Sequence, residues 1–189
     1  MRKFWLLGLF FFATSMLYAD KTDQIYLGYG IGTVEYGKGA FNDDEDIELL
    51  SLGYEYSDFY SLEFSYIDLG TVRDRYFPPN VVTLTPDILQ LEAKGITIAP
   101  AFEWDLSRNW SVAARIGLSV FDIDKRWSGG TVVDDFYVND IGGTETELFY
   151  GFRLQYDISD DMSLELNWDK YDIESIDADT VYAKFNLYF

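Results

Sequence analysis

The 189-residue chain contains no histidine and no cysteine. The first absence removes the side chain that most often does general acid–base work near neutral pH, so histidine-based nucleophile machinery is excluded. The second removes disulfides, thiol chemistry, most zinc sites and lipid attachment through a modified N-terminal cysteine. Basic residues are scarce: 14 Lys and Arg stand against 33 Asp and Glu, a formal net charge of −19. A chain of that sign lacks the basic face nucleic acid requires, so no nucleic-acid partner is expected. After the N-terminal segment no apolar run approaches the ~18 residues of a membrane-spanning helix. Neither a cofactor nor an enzymatic activity is expected.

The N-terminal segment is "MRKFWLLGLFFFATSMLYAD". Arg2 and Lys3 precede an apolar run from Phe4 to Ala13 and a mixed stretch ending at Ala19. That order and length fit a secretory signal peptide, residues 1–19, leaving 20–189 as one domain. The cut removes two basic residues and no acidic one, so the mature chain is more acidic still.

Eight alternating stretches follow, each with a large apolar parity and a small or polar one. They are "QIYLGYGIGTV", "LLSLGYEY", "SLEFSYIDLG", "GITIAPAFEW", "WSVAARIGLSV", "LFYGFRLQY", "MSLELNW" and "VYAKFNLYF". Period two is the signature of a strand whose faces meet different environments. In the last stretch Val181, Ala183, Phe185, Leu187 and Phe189 share one parity up to the carboxylate itself, as a lipid-buried strand end would. Pro100 interrupts the fourth stretch and predicts a bulge or a lost hydrogen bond. Short breaks ("SDF", "DLSRN", "DISDD") alternate with longer ones. The longer ones are "EYGKGAFNDDED", about Thr71 to Leu91, about Asp122 to Glu145, and "DIESIDAD".

A soluble eight-stranded barrel would turn its apolar side inward. Here the smaller parity carries Glu63, Glu103, Arg115, Arg153, Glu165 and Lys184, which suits the polar interior of a membrane barrel. With an aromatic content of 19% and an export signal, the reading is all-β. It is an eight-stranded antiparallel up-and-down transmembrane β-barrel in a Gram-negative outer membrane.

"WSVAARIGLSVF", "YGFRLQYDISDDMSLELNWDKYDI" and "SLEFSYIDLG" resemble the strand–turn–strand segments of OmpA-type eight-stranded outer-membrane barrels. The resemblance covers the whole mature chain, and the periplasmic domain of longer relatives is not expected. It implies a monomer among outer-membrane lipid and lipopolysaccharide, inserted by the barrel assembly machinery. Phe185, Leu187 and Phe189 resemble that machinery's recognition signal. The family often ends in aromatic–Arg–Phe, whereas this chain ends in Leu187–Tyr188–Phe189.

The six interior charges form an expected lumen ion network, read as a static filler in preference to an ion path, because eight strands enclose little more than their own side chains. If "DISDD" turns at Ser159, Arg153 lies directly opposite Glu165. The acidic segments "FNDDEDIE", "VVDDFYVND" and "DIESIDAD" are expected in the long loops. There they could hold divalent cations, alone or shared with lipopolysaccharide phosphates, although a solvated surface is the simpler reading. "GYGIG" sits in a strand with no helix after it and reads as small residues making room in a narrow barrel. Trp104, Trp110 and Trp168 read as an interfacial girdle. The expected role is structural and surface-presenting, with a narrow porin-like channel for small solutes or ions as the alternative.

Overall fold

All eight alternating stretches form strands. A computed structural model describes residues 23–37, 44–76, 87–129, 137–173 and 176–189, so the expected signal peptide lies outside the described residues. The strands are β1 (Gln24–Tyr36), β2 (Asp44–Ser57), β3 (Tyr60–Tyr76), β4 (Asp87–Asp105), β5 (Trp110–Gly129), β6 (Tyr137–Ser159), β7 (Met162–Ile173) and β8 (Ile176–Tyr188). Each pairs antiparallel with the next, and β8 closes onto β1 from Tyr26↔Tyr188 to Tyr36↔Ala178. Closure leaves no sheet edge within the wall, which is how strands cross a membrane with every backbone group paired.

Side chains alternate as the sequence pattern requires. On β1, Gln24, Tyr26 and Gly28 point inward while Ile25, Tyr29 and Ile31 are exposed outside. Asp58–Phe59, Leu106–Asn109 and Asp160–Asp161 make the short turns at the end that also holds both ends of the described barrel. There the Phe189 amide donates to the Ile25 carbonyl at 2.9 Å.

The strands run well past the stretches first recognised, up to 23 residues in β6. Most of what reads as long loop is strand, which corrects the placing of the acidic segments. Asp44–Glu48 lies in β2, Asp172 in β7, Asp177 and Asp179 in β8, and Tyr137–Asp140 in β6. Residues 41–43, 132–136 and 174–175 of those segments lie outside the described residues.

The cause of the misreading is an inversion of polarity part-way up the wall. On β5 the outward series is Trp110, Val112, Ala114, Ile116, Leu118 and Val120, then Asp122 and Asp124. Its inward series is Ser111, Ala113, Arg115, Gly117 and Ser119, then Phe121 and Ile123. Period two never breaks, but the apolar residues change sides where the outer face leaves lipid for water. Beyond that level the barrel is built more like a soluble one, with a mainly apolar interior.

Pro100 stays in register on both sides. Its pairing with Leu62 is kept, while the ladder to β5 skips from Ile98↔Leu118 to Ala101↔Arg115 without a shift. The outcome is lost pairing and no bulge. Register shifts occur instead at Tyr56, at Leu69–Gly70 and at Ile158. Gly70 has φ +73°, a backbone conformation that favours glycine.

Inward glycines face inward aromatics directly across the ladder: Gly53 opposite Tyr26, Gly32 opposite Tyr182, Gly95 opposite Phe121 and Gly117 opposite Phe149. A Cβ at Gly53, Gly95 or Gly117 would overlap the opposing ring, and one at Gly32 would strike the Val181 carbonyl and the Cβ of Tyr182. The rings of Tyr26, Phe121 and Phe149 therefore lie across the floor their glycines leave open, which is how large side chains fit so narrow a lumen.

Candidate functional site

Seven charged side chains inside the barrel form one chain of alternating sign. Its order is Asp169, Arg115, Glu63, Lys184, Glu165, Arg153, Glu103. The Arg115 Nε donates to Asp169 Oδ1 at 2.7 Å, and Nη2 pairs with the other oxygen to complete a two-pronged grip. Arg115 Nη1 reaches Glu63 Oε1 at 3.1 Å. Lys184 pairs with Glu63 and, at 3.0 Å, with Glu165 Oε2. Arg153 closes the series, 3.4 Å from Glu165 Oε1 and 2.6 Å from Glu103 Oε2.

Among the described residues, the carboxylates of this chain other than Glu103 take further hydrogen bonds. Tyr26 donates its hydroxyl to Glu63 at 2.8 Å, Tyr182 to Asp169 at 2.8 Å and Asn167 its amide to Glu165 at 3.0 Å. Buried charges persist when paired and hydrogen-bonded in this way, and removing one partner then costs about 3–5 kcal/mol. Lys184 is 0% exposed, whereas the Glu103 side chain keeps 13% of its surface open.

The six charges expected from the sequence all point into the lumen and all join this chain. Asp169 was missed. It shares parity with Glu165 and Asn167, but the seventh stretch was ended one residue short, at Trp168. Gly151 lies directly opposite, and a Cβ there would strike the Asp169 carboxylate.

The register expected for Arg153 is corrected. Asp160–Asp161 form the turn and Ile158 bulges out, so Arg153 lies opposite Asn167 and Glu165 opposite Gln155. Arg153 and Glu165 meet diagonally. Alternation fixes the face a residue takes but carries no mark of a bulge.

Above the charges an apolar cap closes the lumen. Phe149 stacks on Tyr171 at 4.9 Å between centroids, Phe121 meets Tyr171 edge-on at 5.4 Å, and Ile67, Leu91 and Ile123 are fully buried around them. The two layers touch, since the Arg115 guanidinium lies 5.9 Å from the Phe149 ring centre and 5.7 Å from that of Tyr182.

A family model described as outer membrane protein beta-barrel domain matches residues 4–189. The chain belongs to that family. Among solved structures it is similar to the attachment invasion locus protein Ail of Yersinia pestis, at 11% identity and TM-score 0.58, covering 89% of this chain and 99% of that one. Ail has also been solved with the heparin analogue sucrose octasulfate. OprG of Pseudomonas aeruginosa matches at 8% identity and TM-score 0.59, covering 90% and 98%. Neisserial surface protein A matches at 12% and 0.56, covering 87% and 97%. At these identities the likeness is one of fold. No curated protein sequence matches.

In this outer-membrane barrel the apolar outer band is the lipid face, and by the usual rule the short turns are periplasmic. Trp104 and Trp110 stand at the periplasmic rim, in ring contact with Phe59 and Tyr156. Trp168 is the last apolar outward residue of β7, below Lys170. Phe185 and Leu187 share the outward parity with the exposed Phe189.

Outside the band runs a mainly acidic collar. Glu48, Asp68, Lys94 and Asp122 are neighbours in one row across β2 to β5. Lys94 lies 3.4 Å from Asp68 and 2.7 Å from Glu92, while Lys170 lies 3.1 Å from Asp179. Higher on β5, burial lowers the Lys125 amine from its ordinary range, against the pull of Glu145. Among the described residues no three carboxylates are set closely enough to cage a metal ion.

Proposed function

We propose that this outer-membrane protein is a non-enzymatic, closed barrel that serves envelope structure and presents its extracellular end as an interaction surface. The observation that carries this reading is the filled lumen. Among the described residues an ion-paired layer lies beneath an aromatic and aliphatic layer whose Ile67, Leu91 and Ile123 are fully buried, which supports a filled lumen over a conducting one. The absence of histidine and cysteine, with the four carboxylates of the lumen chain each held by a cation, supports the lack of catalysis.

In this reading residues 1–19 are removed on export, and Phe185, Leu187 and Phe189 are read by the assembly machinery. The barrel sits as a monomer among lipid and lipopolysaccharide, and the collar is a solvated acidic surface, with shared divalent cations the subsidiary reading. That surface also argues against a sulfated polyanion of the kind solved with Ail, since like charges repel.

Single-channel recording of the purified protein in planar bilayers tests the proposal against a porin-like channel. The expected record has no discrete conductance steps. Reproducible steps that vanish on changing lumen residues would overturn it.

A further inference from the structure

Part of the lipid face is grooved. Two rows of outward side chains run across the strands there. Trp104, Val112, Leu154 and Leu166 are neighbours in the first, and Ala114, Phe152, Trp168 and Val181 in the second. Between the rows lie Ala113, Arg153 and Asn167, whose side chains turn into the lumen, so the outer floor is mainly backbone. Ala114, the smallest outward side chain of β5, opens the second row. Together these residues line an open groove of about 530 Å³, within the size range of small-ligand sites. From β4 to β8 it crosses four strand spacings, ~19 Å. One leaflet of a ~30 Å hydrocarbon core is ~15 Å deep, a comparable length.

Ring packing fixes the walls. Trp168 stacks on Phe152 at 6.0 Å between centroids and 14° from parallel, and it meets Tyr150 edge-on. Trp104 meets Phe59 edge-on at 5.7 Å. Rings already held in place lose little freedom when a ligand lies against them. The groove stays within the apolar outer band, from Trp104 at the periplasmic rim to Trp168 and Val181 at its other edge, so a hydrocarbon chain is what meets it.

Charge at the two ends selects the lipid. At the outer end Lys170 is already held by Asp179 at 3.1 Å and Asp177 at 3.8 Å. At the periplasmic end the turns carry exposed Asp58, Asp105, Asp160 and Asp161. Arg108, exposed in the turn just below Trp104, is the one cation on these turns among the described residues, and it makes no ion pair with them. A phosphate suits Arg108, and an ammonium suits the neighbouring Asp105. A headgroup carrying both charges matches this pair, whereas a purely anionic one would meet the surrounding aspartates. We propose that the groove and Arg108 hold one phospholipid of the periplasmic leaflet, its acyl chain along the groove and its zwitterionic headgroup between Arg108 and Asp105.

The inference needs only the lipid-facing band and is independent of whether the lumen conducts. Protein purified from membranes in detergent is titrated with phosphatidylethanolamine, and retained lipid is counted by native mass spectrometry. Saturation at one lipid per barrel is expected. Ala114→Phe fills the groove and should weaken retention at least ~10-fold, with Ala114→Leu as a milder second variant. Arg108→Gln should weaken it about 3-fold. Leu52→Phe, on the lipid face of β2 away from the groove, should change nothing. Phosphatidylglycerol should bind more weakly, and lipopolysaccharide should not compete. Heat-dependent gel migration shows that each variant is folded.

Unsaturable retention, or retention unchanged in the Ala114 variants or in Arg108→Gln, overturns the proposal. So does a preference for phosphatidylglycerol or lipopolysaccharide, which would put the headgroup elsewhere. A lipid-independent dimer lost in Ala114→Phe would overturn it too, marking the groove as an interface between copies of this chain.

Discussion

Lys184→Met removes the middle cation of the lumen chain. Two triads remain, Asp169–Arg115–Glu63 and Glu165–Arg153–Glu103, each with two carboxylates for one guanidinium. Lys184 is wholly buried, so the stranded charge belongs to the class of losses near 3–5 kcal/mol. We expect about 3 kcal/mol, the low end, because hydroxyl and amide donors from Tyr26, Asn167 and Asn186 still hold Glu63 and Glu165. Glu103→Gln at the open end, where the carboxylate pairs with Arg153 and the side chain is partly exposed, should cost about 1 kcal/mol. Urea unfolding in lipid vesicles, followed by tryptophan fluorescence and heat-dependent gel migration, measures both. Lys184→Met combined with Glu165→Gln should cost less than the sum of the single losses by about 1–3 kcal/mol. A loss at Lys184 no larger than that at Glu103, together with an additive cycle, would show that water already screens these charges. The filled-lumen argument would then fail.

Two further outcomes follow from the wall. Gly151→Ala would push Asp169 away from Arg115 and should lower stability by about 1–3 kcal/mol, whereas Gly143→Ala, with open space around it, should stay within about 0.5 kcal/mol in the same unfolding assay. Phe189→Asp should reduce the heat-modifiable, membrane-assembled fraction while export continues, since it puts a charge at the lipid-facing strand end; unchanged assembly would contradict the role given to Phe185, Leu187 and Phe189.

The strand count and the facing of each side chain were legible because lipid and lumen impose opposite demands on adjacent residues. Lumen parity was enough to bring Glu63, Arg115, Arg153, Glu165 and Lys184 together as candidates. Legibility failed where the outer solvent changed. Past Val120, Asp122 is outward and Phe121 inward, and a search for apolar-outward alternation reads that reversal as a loop. The Arg153 register failed for another reason: one bulged residue, Ile158, moves every pairing beyond it, and nothing in "DISDD" announces it. Asp169 was lost to a stretch ended one residue early, although the glycine at 151 opposite it is the kind of complementary vacancy that pairing two strands on paper would expose.

The switch of polarity also acts as a depth gauge. On every strand one outward step separates the last lipid residue from the first wet one: Ile31 and Thr33, Leu50 and Glu48, Tyr66 and Asp68, Ile96 and Lys94, Val120 and Asp122, Leu148 and Thr146, Trp168 and Lys170, Val181 and Asp179. Sinking the barrel by one such step would carry this whole ring into the acyl region, at a cost of up to ~1 kcal/mol for each charge near the interface and more for deeper burial. Raising it would strip lipid from the aromatic rim. The barrel is thus held at one immersion, and in a bilayer of another thickness the lipid, being softer than the wall, must stretch or thin to meet it.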